Sequence, residues 1–450
     1  MTEDKKKQNL VRGVLPFHFT NEISNLEDYF QQHKKWKKES IITGENDLYD
    51  YITNLMDLTS KKMQDKAVGN SWKWDDCGSF NKDTYLVKVK EGEEELIWKL
   101  KKVGIVLFDT QIGLLWYEIQ VEVDAVEVLH RFTNFIKELQ RKGKHYRKSS
   151  GDKEWKEILL FNDVLQIYLE EIEIDSYFAN RHNKEGGIVP DRSIMFEWLL
   201  DEGSPKEEEK VLQNAFLLGH CYNQNYSMPK EINKSEFYRP FEDSIWYASL
   251  EGCANYVFPE ENKVFYSGGY KTRLNTYFYL FLLNLGQYYS LLQLGTEVAE
   301  LSTDDKKYSP TDTSLEELLD KIHIFNLKYM YSQVSHLTQH NEYNQYLRRR
   351  FFINEMHAEL ESELKILHAM IARKQEEKNA KIAKVFAVIS GGFVFAEVTA
   401  SVNQLVETYY GVPFKEWWLK LVLSLGGPVT IGIVICFVLC VMKVFKKREK

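Results

Sequence analysis

A hydrophobic segment near the C-terminus, residues 385–410, carries acidic, amide and hydroxyl side chains at helical spacing. In a helix, which turns by about 100° per residue, a set of these positions falls on one stripe. The stripe comprises Ser390, Val394, Glu397, Ser401, Gln404, Thr408 and Gly411. Ionisable groups inside a membrane usually face a bundle interior or a water-filled path, so the stripe predicts the wall of a cation pore. The alternative is a packed helical bundle in which these groups hydrogen-bond between helices and enclose no pore.

Glu397 has the most direct chemistry of the residues on this stripe. A ring of its carboxylates, one from each copy in an oligomer, would attract cations and hold a partly dehydrated divalent ion, which makes Glu397 the candidate metal ligand. In the alternative, the carboxyl group is protonated or hydrogen-bonded to a neighbouring helix, because buried carboxylates often shift their pKa rather than stay charged.

Two predicted transmembrane helices would hold the stripe in place. Residues 421–442 contain no charged side chain, and as a helix rising about 1.5 Å per residue they cover the roughly 30 Å of a bilayer core. Residues 385–410 form the first predicted span, residues 411–420 a short outer loop, and residues 443–450 a basic tail. Four lysines precede the first span: Lys374, Lys378, Lys381 and Lys384. By the positive-inside rule, this pattern predicts a multi-pass protein of the inner (plasma) membrane with both termini in the cytoplasm.

The stretch before the first span lacks helix breakers. Residues 311–390 contain no glycine and no proline, and apolar residues recur there at heptad-like spacing. This pattern predicts long stalk helices over residues 311–384, with a weak point at residues 339–342. Nothing would stop the later helix before the membrane, so it should continue into the first span as one rod.

Residues 1–310 are predicted to form a cytosolic α/β domain. The first 80 residues are polar and mostly helical in pattern, strand patterns occupy residues 84–123, and a helical spacing follows. A long apolar helix from residue 270 to residue 301 is interrupted by asparagine and glutamine, which favours a buried helix over a third membrane span. The predicted fold class is therefore an α+β cytosolic domain, a long stalk helix and two C-terminal transmembrane helices.

Composition excludes several classes of protein. The net charge of −8 argues against a protein that coats nucleic acid, so we expect no direct nucleic-acid binding. Five scattered cysteines predict neither a disulfide framework nor a zinc site. No apolar run follows the lysines near the N-terminus, so we expect no signal peptide and a cytosolic N-terminal part. Nucleophile-elbow, zinc-protease and Walker motifs are absent from the sequence, which predicts a protein that is not an enzyme.

The sequence Tyr410-Gly411-Val412-Pro413-Phe414, placed between the two predicted spans, resembles the Tyr-Gly-Met-Asn-Phe motif of the CorA family of divalent-cation channels. The order of domain, long helix, span, short loop, span and basic tail is also similar to that family. The resemblance implies a funnel-shaped homopentamer whose first membrane helices line the pore, with Mg²⁺ or another divalent cation as the permeant ion. Pro413 replaces the asparagine of the family and has no side-chain acceptor for a hydrated cation, which puts magnesium selectivity in doubt.

The resemblance also implies that the lysines from Lys374 to Lys384 form a basic collar at the inner mouth of the pore. The alternative is that they only satisfy the positive-inside rule.

The enlarged N-terminal region and the lost asparagine make the chain similar to one subgroup, the CorA-like membrane effectors associated with type III CRISPR systems. In that subgroup a nucleotide messenger, a conjugate of S-adenosylmethionine and AMP, acts on the channel. The resemblance implies an antiviral cation channel gated by such a messenger bound to the cytosolic domain. Two alternatives stay open: a constitutive magnesium transporter, and a membrane-tethered sensor or scaffold that does not conduct.

Three stretches of the N-terminal region carry side chains suited to a nucleotide. The candidates are Trp116, Tyr117, His220, Tyr222, Asn223, Lys271 and Arg273. The two basic residues follow a glycine turn that suits an anion at the start of a helix, and the aromatic and amide groups suit a purine. In each stretch the alternative is an ordinary turn or core packing.

Overall fold

The structure, a computed structural model, describes most of the chain up to Tyr410. The described residues are 9–33, 35–42, 47–56, 67–74, 86–91, 94–121, 126–148, 153–182, 187–201, 207–222, 225–259, 263–270, 273–303 and 313–410. The chain divides into two compact units, Met1–Leu367 and His368–Lys450.

Fifteen strands lie in the described part of the first unit. They are β1 (Leu10–Phe19), β2 (Trp36–Lys38), β3 (Gly69–Trp74), β4 (Leu86–Glu91), β5 (Glu94–Phe108), β6 (Ile112–Val121), β7 (His145–Lys148), β8 (Lys156–Ile158), β9 (Ile174–Tyr177), β10 (Asn180–His182), β11 (Ile188–Pro190), β12 (Ile194–Leu200), β13 (Tyr238–Phe241), β14 (Ser244–Ala248) and β15 (Gly252–Val257).

The described residues also form nine α-helices. They are α1 (Ile23–Gln32), α2 (Asp50–Thr53), α3 (Val126–Ile136), α4 (Glu208–His220), α5 (Lys263–Phe265), α6 (Leu274–Thr303), α7 (Thr313–Tyr329), α8 (Thr338–Arg350) and α9 (Ile353–Tyr410). Short π or 3₁₀ turns occupy residues 161–169, 234–236 and 266–270.

Thirteen of the described strands form one mixed sheet. Its main order is β13-β14-β15-β12-β1-β6-β5-β4-β7-β8, with β9 paired to β1, β3 to β5 and β2 to β3. The pairs are antiparallel except β12 with β15, which run parallel. A parallel pair needs a crossover, and the segment between these two strands contains α4.

Strand β1 lies at the centre of the sheet. It pairs along its length with β6 on one side, and on the other side first with β12 over residues 10–14 and then with β9 over residues 17–19. Pro16 cannot donate to a strand ladder, and it lies in the gap between these last two partners, where a strand tolerates proline. Nearly every side chain of β1 is buried, because helices cover both faces of the sheet.

The two faces of the sheet carry separate hydrophobic clusters. One cluster contains Val11, Leu15 and Phe17 of β1 together with side chains from α1, α3 and α4. The other contains Val14 of β1, Trp116 of β6 and side chains from α6, α7 and α8. The first unit is therefore a sheet with helices packed on each side, and alternate residues of one strand belong to different clusters.

Helix α6 lies inside the second cluster. Leu280, Phe281, Leu282 and Leu283, four consecutive residues, are all buried, so this part of the helix is enclosed on every side. A helix that is apolar all round must be buried in protein or in lipid. The sequence-based choice of a buried helix over a third membrane span is confirmed by this packing.

The prediction that the first 80 residues are mostly helical is wrong. Their described residues contain the central strand β1, the paired strands β2 and β3, and two short helices, α1 and α2. A strand buried on both faces has no alternation of polar and apolar residues, so the period-two signal is missing.

The predicted stalk is interrupted twice. Residues 330–337 separate α7 from α8, and residues 351–352 separate α8 from α9. The weak point predicted at residues 339–342 lies within α8, where the side chain of Asn341 accepts hydrogen bonds from the backbone N–H groups of Val334 and Ser335 at 2.8 and 3.1 Å. The later helix, α9, runs without a break for 58 residues.

The predicted transmembrane architecture is wrong. Among the residues that the structure describes, no helix has the length and the apolarity needed to cross a membrane. The CorA-like fold class with two C-terminal transmembrane helices is therefore corrected to a mixed α/β fold built on a large sheet. The predicted multi-pass location in the inner membrane is wrong for the same reason.

The physical reason lies in the polar residues that suggested a pore. Residues 385–410 form the last part of α9, and Glu397, Asn403, Gln404 and Glu407 interrupt their apolar run. A charged side chain at a bilayer centre costs roughly 2.5–3.5 kcal/mol or more.

The outer loop, the second span and the basic tail, predicted at residues 411–420, 421–442 and 443–450, lie outside the described residues.

Candidate ligand-binding site

A cavity of about 410 Å³ lies in the first unit, next to the junction of α8 and α9. Its lining comes from the end of α4, the short turn at residues 234–236, the turn between β14 and β15, the end of α8 and Phe352 of the α8–α9 junction. The side chains that matter for its chemistry are His220, Tyr222, Glu236, Glu251, Arg349, Arg350 and Phe352. We call this cavity the junction cavity.

The end of α4 brings two aromatic rings together on this cavity. Cys221, the residue after the helix, has a φ of 51°, and the backbone N–H of Tyr222 donates to the carbonyl of Leu217 at 2.9 Å. This left-handed ending reverses the chain, so Tyr222 folds back onto His220. The two rings stack with centroids 4.7 Å apart and planes 8° apart. The turn thus builds a flat aromatic surface.

The buried Lys137 forms an ion pair with Glu251 beside this aromatic surface. Lys137 Nζ donates to Glu251 Oε2 at 2.5 Å and to the backbone carbonyl of His220 at 3.3 Å. The same ammonium lies 5.6 Å from the centre of the Tyr222 ring. Glu251 is also 3.7 Å from Arg192. Its carboxylate is therefore fixed in position on the cavity wall.

Three consecutive arginines end α8, where cations favour the negative end of the helix dipole. Arg348 turns inward and donates to Gln287 Oε1 at 3.3 Å and to Asn354 Oδ1 at 2.7 Å. Arg349 is exposed on the cavity. The three arginines therefore have different roles, and Arg349 is the exposed cation of the cavity.

Arg350 ties α8 to the sheet. Its guanidinium donates to the carbonyl of Ala248 at 2.7 Å, to Tyr247 Oη at 3.0 Å and to Glu236 Oε2 at 3.0 Å. Tyr247 Oη in turn lies 3.1 Å from His220 Nε2. A continuous chain of contacts therefore runs from the end of α8 to the aromatic surface.

Phe352 sits between α8 and α9 in an unusual conformation. Its φ is 54°, in the left-handed region that bulky residues rarely adopt, and its side chain is 57% exposed. A residue of this kind is held there by its surroundings, and such strain is found at ligand clamps and switch points. Phe352 adds a further aromatic ring to the lining of the junction cavity.

Burial sets the protonation of the groups around the cavity. It lowers the pKa of His220 to about 4, with Glu251 opposing the shift, so the imidazole is neutral at pH 7. Behind the cavity wall, burial raises the pKa of Glu197 to about 8. Burial and the neighbouring Glu197 raise the pKa of the Cys221 thiol well above its ordinary value. Cys221 is therefore a neutral thiol that donates weakly to Glu197 Oε1 at 3.9 Å.

This set of groups suits binding more than bond breaking. An activated nucleophile needs a base within hydrogen-bond reach and a lowered pKa, whereas the pKa of Cys221 is raised. In the part of the chain that the structure describes, no group of three metal-ligating side chains is found. The cavity instead offers aromatic faces, exposed guanidinium and two carboxylates.

The structure brings two of the predicted ligand-binding residues together, His220 and Tyr222, and places Trp116, Tyr117 and Arg273 elsewhere. Trp116 and Tyr117 are buried on opposite faces of β6, in the two hydrophobic clusters. Arg273 lies 3.5 Å from Asp47, at the start of α6. The predicted candidates Asn223 and Lys271 lie outside the described residues.

Sequence reasoning missed the residues from the far side of the cavity. Arg349, Arg350 and Phe352 were assigned to the stalk, and Glu251 was not singled out. One local signal could have found them: three arginines in a row before two phenylalanines, at the end of a helix rather than within it.

The predicted pore and collar residues lie on α9 up to Thr408, and Tyr410 is its last residue. Ser390, Lys381 and Lys384 are exposed. The positions of the remaining stripe and collar residues are described only as parts of the helix: Lys374, Lys378, Val394, Glu397, Ser401, Gln404 and Thr408. The outer-mouth residues Gly411, Val412, Pro413 and Phe414 lie outside the described residues.

Comparison with known proteins gives no relative for this chain. No protein-family model, no curated protein and no solved structure matches it.

Proposed function

We propose that the first unit is a sensor domain that binds a nucleotide in the junction cavity. The observation that carries this proposal is the stacked pair of His220 and Tyr222, on the same cavity as Arg349 and Phe352. Aromatic rings bind a base by stacking, and a guanidinium binds phosphate through paired hydrogen bonds. A cavity of about 410 Å³ is also within the usual size range of small-molecule sites.

The mixed charge of the cavity narrows the class of ligand. Arg349 and Arg350 provide positive charge, and Glu236 and Glu251 provide negative charge. A ligand with both a phosphate and a cationic group matches this arrangement. A conjugate of S-adenosylmethionine and AMP has such groups, because it combines a sulfonium centre and a phosphate with two adenine rings. AMP alone supplies the base and the phosphate.

The position of the cavity supports a sensing role. Phe352 lines the cavity and immediately precedes α9, so a ligand that stacks on its ring acts on the residue from which the long helix starts. A bulky residue in the left-handed region costs roughly 1–2 kcal/mol, which leaves a second backbone arrangement within reach. Ligand binding shifts such an equilibrium when the ligand prefers one arrangement. The output of the sensor is thus the state of the α8–α9 junction.

The channel and the constitutive magnesium transporter both need membrane spans, and no helix of the described residues could cross a membrane. The sensor is the part of the sequence-based hypothesis that the junction cavity supports.

A binding screen tests the proposal. AMP, S-adenosylmethionine and the conjugate of the two are titrated into the chain by calorimetry. Tyr222→Ala should weaken binding about tenfold or more, because stacking on an aromatic ring is worth roughly 1–3 kcal/mol per base. Arg349→Gln should weaken the binding of only those ligands that carry phosphate.

Matched controls make the screen decisive. Tyr146, a partly exposed tyrosine on β7, and Arg373, an 82% exposed arginine on α9, lie away from the cavity. Tyr146→Ala and Arg373→Gln should leave the affinity unchanged. The proposal fails if none of the three ligands binds, or if the control variants weaken binding as much as the cavity variants.

A further inference from the structure

Two buried donors without an acceptor line a second, smaller cavity on the α6 side of the sheet. This cavity has a volume of about 60 Å³. Nη1 of Arg12 and Nε1 of Trp116 have no hydrogen-bond partner in the described chain, although these residues are only 4% and 5% exposed. Buried donors are almost always paired in folded proteins. Two unpaired donors on one cavity therefore indicate a missing acceptor.

The side-chain amide of Asn275, which is bonded to Arg12, supplies a third donor on the cavity. Its Nε and Nη2 donate to Glu118 Oε2 at 2.9 and 2.8 Å, and Nη2 also donates to Asn275 Oδ1 at 2.8 Å. Because the carbonyl oxygen of Asn275 accepts from Arg12, its amide nitrogen remains a donor, and Asn275 lines the same cavity. The guanidinium is thus oriented by two partners, with one nitrogen left over.

The charge around the cavity is positive. Lys73 and Lys102 line it, and Glu39, which also lines it, is bound by Lys73 Nζ at 3.0 Å. The second carboxylate nearby, Glu118, is shared between Arg12 and Lys101, whose Nζ is 3.4 Å away. The three cations that line the cavity, Arg12, Lys73 and Lys102, face the two carboxylates of Glu39 and Glu118, which leaves a net charge of +1.

Lys102 carries the excess charge. Its side chain is half-buried, and within the described residues it forms no ion pair. Burial lowers the pKa of Lys102, Glu118 opposes this shift, and the neighbouring Arg12, Lys101 and Lys73 lower it further. A bound anion would relieve the repulsion among these cations.

We propose that this cavity binds a phosphate-sized oxyanion, held by Arg12 Nη1, Trp116 Nε1, the amide of Asn275 and the ammonium group of Lys102. An oxyanion offers several acceptor oxygens at once and offsets the net charge. A water molecule offers two lone pairs and leaves the charge in place. Exposed Ser40 lines the same cavity, which places its mouth at the surface.

The anion can be free phosphate or the terminal phosphate of a larger molecule, and two titrations distinguish them. Inorganic phosphate and ADP are titrated separately into the chain by calorimetry, in a buffer whose only anion is chloride. Lys102→Met should weaken the binding of the anion about tenfold, which corresponds to about 1.4 kcal/mol. Lys101→Met is the matched control, because Lys101 is the adjacent lysine and does not line the cavity.

Trp116→Phe is the second variant, and it removes only the Nε1 donor while keeping an aromatic ring against Phe278. This variant should also weaken the binding of phosphate, whereas Tyr222→Ala, at the junction cavity, should leave it unchanged. Binding of ADP alone, sensitive to Lys102→Met, would assign the site to the phosphate of a larger ligand. The proposal is overturned if neither anion binds, or if Lys102→Met weakens binding no more than Lys101→Met, as expected for a cavity that holds water.

Discussion

The buried ion pair between Arg12 and Glu118 should dominate the stability of the sheet near β1 and β6. Replacing Glu118 by glutamine leaves the guanidinium of Arg12 buried without a counter-charge. The two side chains are 5% and 3% exposed, so water cannot take over the role of the carboxylate. Removing one partner of a buried pair costs about 3–5 kcal/mol. Glutamine keeps one acceptor oxygen for Arg12, so we expect about 3 kcal/mol, at the lower end of this range.

Two further variants separate the charge from the packing. Arg12→Met together with Glu118→Met should recover most of the loss, because a buried pair replaced by apolar side chains is often neutral. The guanidinium already packs 4.4 Å from the ring centre of Phe278, so the site accepts an apolar side chain. Glu39→Gln breaks the half-exposed pair with Lys73 and should cost less than about 1 kcal/mol.

Urea unfolding followed by tryptophan fluorescence measures these differences as shifts in midpoint at a constant slope. The pH dependence gives a second readout. Burial would raise the pKa of Glu118, but Arg12 and Lys102 lower it, and the net value lies below the ordinary one. The stabilisation is therefore present above the pKa of the unfolded chain and is lost as the pH falls through the lower folded pKa. Glu118→Gln should remove this loss of stability at acid pH. The reasoning is refuted if Glu118→Gln destabilises the chain no more than Glu39→Gln.

Two other predictions follow from burial and from the space around glycines. The raised pKa of Glu197, about 8, means that the folded chain keeps a proton that the unfolded chain loses above about pH 4.3, so stability should fall between these two values by up to about 1.4 kcal/mol per pH unit. Glu197→Gln should flatten this decline in urea unfolding measured from pH 5 to pH 8; an unchanged slope would contradict a neutral Glu197. In α6, a Cβ at Gly286 would lie 2.4 Å from Phe108 Cζ, so Gly286→Ala should lower the free energy of unfolding by about 1–3 kcal/mol. Gly295 in the same helix has open space, so Gly295→Ala should raise it by about 0.5–1 kcal/mol; equal effects at the two sites in thermal unfolding would contradict the packing of α6.

Much of the secondary structure could be predicted from local pattern. The strand signals of residues 84–123 correspond to β4, β5 and β6, the helical spacing that follows corresponds to α3, and the absence of glycine and proline after residue 310 corresponds to helices α7 to α9. These signals depend on neighbours a few positions apart, so the sequence displays them directly. Length and hydropathy alone did not distinguish a long helix with polar interruptions from a membrane span. The interpretation of residues 385–410 as a span was therefore wrong.

The candidate site was only half predictable. Tyr222 and His220 stood out as aromatic residues in a stretch that also carries amide groups, and the structure stacks them. Arg349 and Phe352 join them from more than 120 positions further along the chain. No local pattern predicts a contact between residues so far apart, since the contact depends on how α8 packs against the sheet.

The sequence by itself determined where helices and strands can form and which segments must be buried, because propensity and hydrophobic periodicity act over a few residues. Tertiary structure decided the rest. Only the sheet places Arg12 beside Glu118, 106 positions away. Only the hydrogen bond from Arg350 to the carbonyl of Ala248 holds the end of α8, and with it the start of α9, near the aromatic surface. Charges, cavities and unpaired donors are properties of such distant neighbours, so function in this chain depends on contacts that the linear order does not show.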